Sequence, residues 1–372
     1  MASAEVKASV LHGAKDLRLE TRPLPPLNPH DVCIAVKATG LCGSDLHYYN
    51  HFRNGDILVR EPLTLGHESA GIVTSVGSAV TNLAPGDRVA LEVGQPCEQC
   101  HLCVQGRYNI CPEMKFRSSA KAWPHAQGTL QEEIVHPGKW CHKLPDGVSL
   151  EDGALVEPMA VALHALQRAR LEEGAKVLVF GAGTVGLLCA AISKVVSKAR
   201  VVIADIQEER VNFAIENGFA DEGVIVPMKR PGTIEEKLAF AKEVAEMVGE
   251  KTEQVDGAFE CTGVESCLQA AIYAAAPGGK VMIIGMGNPV QTLPISAASI
   301  REVDLIGVFR YANAYLRVIE LLADGLRSKL PGLNHLITQR FTGIESIPKA
   351  FEMAGRVKDD DGNLVIKVLV NM

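Results

Sequence analysis

The sequence predicts an α/β protein of two domains, in which a doubly wound parallel-sheet domain interrupts a β-rich domain built from both ends of the chain. Three observations predict it. The chain has 372 residues, too many for one compact core. Its first 150 residues carry short β-branched runs between Gly and Pro turns, as in DVCIAVKATG, AGIVTSVG and DRVALEV. After Pro158, strands that are apolar throughout alternate with helical stretches, the pattern of a parallel sheet covered on both faces.

The elements follow in order. MAVALHALQRARLEEG reads as a helix stopping at Gly174. KVLVFG is a strand, GAGTVG a turn and LLCAAISKVV an apolar helix. ARVVIAD and QEERVNFAIENG repeat the unit, and VDGAFECTG, ESCLQAAIYAAAPGG and KVMIIGMG continue it. From about Leu293 the text is mixed again, and GNLVIKVLVN reads as a strand that rejoins the first domain. The expected boundaries are residues 1–158 and 294–372 for the β-rich domain and 159–293 for the sheet domain.

Composition excludes several classes. Apolar residues make up 47% and charged residues 22%, as in ordinary globular proteins. With 37 Lys and Arg against 44 Asp and Glu, the net charge is −7. A mildly acidic chain is a poor holder of polyanions, so nucleic acid and anionic membrane are not expected partners. No apolar run approaches the ~18 residues of a membrane span. MASAEVKASVLHGAKDLRLE lacks a basic segment followed by an apolar one, and the chain does not end in Ser-Lys-Leu, so the expected location is cytoplasmic.

Gly181, Gly183 and Gly186 form G-x-G-x-x-G between a strand and a helix. The first glycine permits the tight turn, the second lets backbone approach a pyrophosphate, and the third lets helix pack on strand. The helix N-terminus offers free N–H groups to phosphate. Asp205, at the end of the next strand, can accept hydrogen bonds from a ribose diol and would repel a 2′-phosphate, which favours NAD over NADP. The alternative is an Asp that merely caps the next helix.

Cys97, Cys100, Cys103 and Cys111 have the spacing C-x2-C-x2-C-x7-C. With ten cysteines in all, the chain is too sparse for a disulfide scaffold, and this cluster reads as a metal site. Four thiolates suit a closed, structural tetrahedral zinc; the same spacing also suits an iron–sulfur cluster. A second set is dispersed: Cys42 in GLCGSD, His67 and Glu68 in GHE, and Glu157 in LVEP. Each alone reads as an ordinary core residue. Together they supply a thiolate, an imidazole and carboxylates, a plausible catalytic zinc set with room for water or substrate.

These motifs also carry a resemblance. GHESAGIVTSVGSAV, with GLCGSDLHYY, PGDRV, the four-cysteine loop, EDGALVEP, GAGTVGLL, ECTGVES and GVFRYANAY, resembles the zinc-dependent medium-chain alcohol dehydrogenases over essentially the whole chain. Within that family it is most similar to the polyol branch of sorbitol (L-iditol 2-), xylitol and L-arabinitol dehydrogenases. The resemblance implies a GroES-like catalytic domain, a Rossmann domain and a homotetramer. It implies Cys42, His67 and Glu68 as ligands of a catalytic zinc, with Glu157 as a further ligand or the holder of a zinc-bound water. It assigns zinc to the four-cysteine loop. It places Ser44 and His47 in a proton relay, and Tyr48, Arg310 and Tyr311 along the substrate channel. To the NAD site it adds Val185, Arg210, Cys261 and Thr262. The implied reaction is NAD-linked oxidation of a sugar alcohol, sorbitol to fructose first among them, through alkoxide formation at zinc and hydride transfer. Xylitol, L-arabinitol or a simpler alcohol or diol are the alternatives, and a non-enzymatic NAD-binding regulator is the rival class.

Overall fold

The computed structural model describes residues 5–323, 330 and 332–372. The chain divides into two compact units. One is Met1–Glu157 with Tyr315–Gly325 and Ile337–Met372; the other is Pro158–Ala314 with Leu326–Leu336.

The first unit is built on a seven-stranded sheet centred on Asp31–Gly40. That strand pairs antiparallel with Glu68–Val76, with Glu133–Pro137 and with the C-terminal strand Lys367–Asn371. Ile34, Val36, Val89, Leu91, Leu369 and Val370 are buried in it, so the chain's last strand is part of the first unit's core. The register sets Gly40 opposite Glu68 on one side and Leu369 on the other. This brings residues from the two chain ends to one place.

The second unit carries six strands in the order Glu222–Ile225, Arg200–Asp205, Lys176–Phe180, Val255–Glu260, Ala275–Ile283 and Asp304–Gly307, all parallel. Val177, Leu178, Val179 and Phe180 on the central strand are all buried, as the unbroken apolar run requires. Each contributes about 1.5–3 kcal/mol by burial. The strand order reverses direction between Lys176–Phe180 and Val255–Glu260, and ligands of such sheets bind beyond the carboxyl ends of the strands at that point.

Two expectations differ from the structure. The return to the first unit comes at Tyr315, later than residue 294. The reason is the sixth strand, Asp304–Gly307: it is an edge strand, exposed at both ends and half-buried between, and lacks the long apolar run that marks the others. The helix read from Met159 to Gly174 is Leu150–Ala169. Ser149 Oγ accepts from the Asp152 N–H (3.0 Å) and Asp152 Oδ2 accepts from the Ser149 N–H (3.1 Å), a reciprocal start signal that begins nine residues ahead of Pro158. Proline is tolerated inside this helix, where it removes one N–H from the ladder. The helix therefore carries Glu157. Among the described residues, no helix is long and apolar enough to cross a membrane.

Candidate functional site

Cys42 stands at the N-terminus of the helix Gly43–His51, with extended backbone, where the helix dipole favours an anion. Its N–H donates to Asp45 Oδ2 (3.2 Å), which fixes the turn. His67 and Glu68 lie where the chain enters the strand Glu68–Val76. Gly66 precedes them with φ +91°, and a Cβ there would lie 2.8 Å from Leu130 Cγ, so this approach demands glycine. The result is that the ligand atoms of Cys42, His67 and Glu68 all lie within 4.8 Å of one another. His67 and Glu68 are buried and Cys42 is half-buried.

The surroundings of this trio suit a cation. His67 Nδ1 faces Asp45 Oδ1 at 3.2 Å, which leaves Nε2 turned to the trio. Ser44 Oγ lies 3.4 Å from that Nε2. Burial alone would lower the His67 pKa, but Asp45 and Cys42 outweigh it and hold the imidazole well above its ordinary value. The anionic groups beside His67 favour positive charge at the trio. Asp45 itself is fully buried; burial would raise its carboxyl, yet His67, Ser118 (2.6 Å) and the Gly66 N–H (3.1 Å) bring it below the usual range. Four donors converge on its two oxygens. Asp45→Asn leaves one oxygen for four donors and is expected to weaken metal affinity at the trio about 10–100-fold, read by chelator competition.

Glu157 is buried but lies outside this close trio. It does act on the same surroundings, because Glu68, Cys42 and Glu157 together hold the Lys367 ammonium above its ordinary pKa, against the lowering effect of burial. Lys367, 2% exposed, forms an ion pair with Glu68 and donates to the Leu41 carbonyl (2.9 Å).

Ser44 and His47 are three residues apart, on one face of the helix Gly43–His51. Burial and the neighbouring His51, its ring 6.2 Å away, lower the His47 pKa, so the imidazole is neutral and free to accept a proton at neutral pH. Tyr48 is buried in the core beside Leu41, Tyr49 and Phe351, and its hydroxyl accepts the Ala120 N–H (3.2 Å). Arg310 belongs to the other unit; its backbone is left-handed, φ 53°, and its guanidinium lies 4.6 Å from the Phe309 ring centre. Tyr311 beside it is buried.

The four loop cysteines also meet. Cys100 and Cys103 sulfurs are 3.5 Å apart, Cys97 and Cys111 3.5 Å, and Cys100 and Cys111 4.0 Å. A disulfide needs about 2.05 Å, and all four thiols are free. A tetrahedron of zinc–sulfur bonds of about 2.3 Å has edges of about 3.8 Å, which these separations fit. A cluster would spread the thiolates over separate irons, so the geometry favours a single ion. N–H groups of Gln99 and Cys100 bring the Cys97 thiol down to about 7, whereas burial and the adjacent thiols raise Cys103 to about 12.

In the second unit, Gly181 has φ +94° and Gly183 caps the helix Thr184–Ser197. A Cβ on Gly186 would collide with the Gly181 carbonyl, and one on Gly181 would lie 2.8 Å from Thr262 Cγ2. Val185 is half-buried in the first turn of that helix, and Arg210 Nη1 lies 3.5 Å from where a Gly183 Cβ would stand. Asp205 Oδ2 accepts the Ala182 N–H (2.7 Å) and Oδ1 the Gln207 N–H (2.9 Å), so its carboxylate closes the glycine turn. Gln207, not Asp205, holds the N-cap position of the next helix, Glu208–Glu216, and makes no side-chain capping bond. Cys261 donates its N–H to Phe180 O (3.0 Å), and Thr262 is tied to the buried Glu260 carboxylate through N–H and hydroxyl. The glycine turn, Asp205 and Cys261-Thr262 thus meet at the switch point of the sheet.

Comparison with known proteins agrees with both units. Residues 28–146 match the alcohol dehydrogenase GroES-like domain and residues 184–324 the zinc-binding dehydrogenase family. A sorbitol dehydrogenase of Arabidopsis thaliana is 40% identical over 99% of this chain and 96% of its own length. The chain belongs to the zinc-dependent medium-chain alcohol dehydrogenase family, in its polyol branch. As a member it is an NAD(P)-dependent zinc oxidoreductase acting on CH–OH groups. An L-idonate 5-dehydrogenase of Vitis vinifera is 38% identical over 99% of this chain and 95% of its own. The crystal structure of 2R,3R-butanediol dehydrogenase from Bacillus subtilis superposes with a TM-score of 0.80 at 30% identity, covering 99% of each chain.

Sequence reasoning missed Asp45 and Lys367. Asp45 carried a faint signal, a carboxylate three residues after a cysteine at a helix start. Lys367 carried none, since only the pairing of the last strand brings it to the site.

Proposed function

We propose that this dehydrogenase oxidises a sugar alcohol to a ketose with NAD, and that its preferred reaction is sorbitol to fructose. The observation that carries this reading is the buried meeting of Cys42, His67 and Glu68, with ligand atoms within 4.8 Å. They would hold a catalytic zinc, and Cys97, Cys100, Cys103 and Cys111 a structural one. When bound, the catalytic zinc supplies a Lewis acid that makes a substrate hydroxyl acidic near neutral pH. Asp45 keeps the His67 ring in the orientation that turns Nε2 toward the ion. Ser44 and His47 then take the hydroxyl proton outward along the helix face, with His47 favoured as the neutral imidazole by burial and His51. Glu157, Tyr48, Arg310 and Tyr311 are assigned to the remaining hydroxyls of the polyol, for which unmatched polar groups would discriminate against simple alcohols.

Gly181, Gly183, Val185, Gly186, Asp205, Arg210, Cys261 and Thr262 are assigned to NAD, whose nicotinamide supplies the hydride acceptor. Asp205→Ala removes the carboxylate that would accept from the ribose diol and repel a 2′-phosphate. It is expected to reduce the NAD over NADP preference by about tenfold or more, read as the ratio of kcat/KM values. A homotetramer is part of the proposal, supported by the open edge strand Asp304–Gly307 and by exposed Ile300, 84%, and Val290, 86%, nearby in sequence. Light scattering should return four chains.

Similarity to an L-idonate dehydrogenase favours a second reading, an acidic sugar as substrate. Steady-state kinetics with NAD on sorbitol, xylitol, L-arabinitol, L-idonate and 2,3-butanediol decide between them. The highest kcat/KM is expected for sorbitol; turnover of L-idonate or butanediol alone would overturn the polyol reading.

A further inference from the structure

Lys367 is 2% exposed and Glu68 1%. A lysine is almost never buried without an anion to pair with, and this one is ringed by them. It reaches the site because the strand Lys367–Asn371 pairs with Asp31–Gly40, whose last residue, Gly40, stands opposite Glu68. Gly40 makes the meeting possible: a Cβ there would collide with Glu68 Oε2 and lie 2.9 Å from Lys367 Cε. Among the described residues the ammonium meets the Glu68 carboxylate and the Leu41 carbonyl, at 2.9 Å, the latter one residue before Cys42.

We propose that Lys367 is a positioning residue for the metal site, holding one oxygen of Glu68 so that the other is presented to the ion. This rests on the proposed zinc reading of Cys42, His67 and Glu68. Two physical reasons support it. A carboxylate with both oxygens free can swing or chelate, whereas one pinned by an ammonium offers a single oxygen in a fixed pose. Charge also enters: once Cys42 binds a divalent ion as thiolate, it and the carboxylates of Glu68, Glu157 and Asp45 supply more negative charge than that ion neutralises. Lys367 offsets part of that excess, and removing it would leave that charge uncompensated in a low dielectric.

The test is a double-mutant cycle on zinc affinity, measured on the whole protein by competition with a chelator and by metal analysis. Lys367→Gln keeps a donor for Leu41 but removes the charge. It is expected to weaken zinc binding at this site about 10–100-fold, with zinc in the four-cysteine loop and NADH binding retained. Lys367→Arg should restore affinity to within about threefold. In a Glu68→Gln background, Lys367→Gln should add less than about threefold, because its effect acts through Glu68. Full affinity in Lys367→Gln, or losses that simply multiply in the double variant, would overturn the proposal. If Lys367→Gln does not fold, Lys367→Arg decides alone. An affinity within threefold of the parent, with visible absorption of the cobalt(II)-substituted protein unchanged, agrees with positioning by charge, and a loss of tenfold or more contradicts it. Failure of the zinc reading is seen separately, as parental protein whose zinc content does not change when Cys42 is replaced by Ser.

Discussion

Cys42→Ser is expected to lose at least about three powers of ten in polyol-dependent NADH formation, together with the ion held by Cys42, His67 and Glu68. The size follows from the chemistry. An alcohol is a poor acid in water, and a bound divalent zinc can move the pKa of a coordinated oxygen from 15.7 to about 7. A serine hydroxyl does not replace a thiolate in that role. Two ligands remain, His67 and Glu68. NADH binding should be unchanged, because the glycine turn and Asp205 belong to the other unit. The measurement is steady-state kinetics beside metal analysis; a Cys42→Ser protein with parental activity and zinc content contradicts the assignment.

Cys103→Ser is expected to act on stability instead. The loop that holds Cys97, Cys100, Cys103 and Cys111 has little core of its own. Its short helix His101–Val104 buries no residue, and Val104 is 76% exposed. Beyond the sulfurs, the loop is tied down by Tyr108, whose hydroxyl donates to the buried Glu92 carboxylate (2.7 Å) and whose ring packs on Trp140. Binding energy at a structural zinc is folding energy for the segment that carries it. Loss of one thiolate should therefore release the loop ion and lower the melting temperature by about 5–10 °C, by calorimetry. The ion at Cys42, His67 and Glu68 should stay. A Cys103→Ser protein with parental melting temperature and loop zinc contradicts a structural role.

What was legible in the sequence was what is local. GAGTVG declares itself because the tight turn, the phosphate approach and the helix packing fall within six residues. The four cysteines declare themselves because one loop carries them all. Cys42, His67, Glu68 and Glu157 were legible by chemistry as a plausible zinc set, and as ligands through family resemblance, because nothing in 42, 67 and 157 says that a strand crossing brings them near one another. In the structure Cys42, His67 and Glu68 form the close trio, and Glu157 is not one of its members. Lys367 lay beyond reach: its burial depends on the register of the last strand and on the missing side chain at Gly40. The sixth parallel strand escaped for a different reason. An edge strand shields only part of itself, so Asp304–Gly307 need not be apolar, and the domain boundary read from apolar runs fell short.

The central claim is that an ion held by Cys42, His67 and Glu68 makes a polyol hydroxyl acidic enough to be oxidised. Graded removal of metal with a chelator, with zinc per chain and sorbitol-dependent NADH formation followed together, tests it most directly. Two zinc ions per chain are expected at the start, with activity that falls in step with the loss of one of them and recovers when zinc is returned. Undiminished sorbitol oxidation after that ion has gone would contradict it.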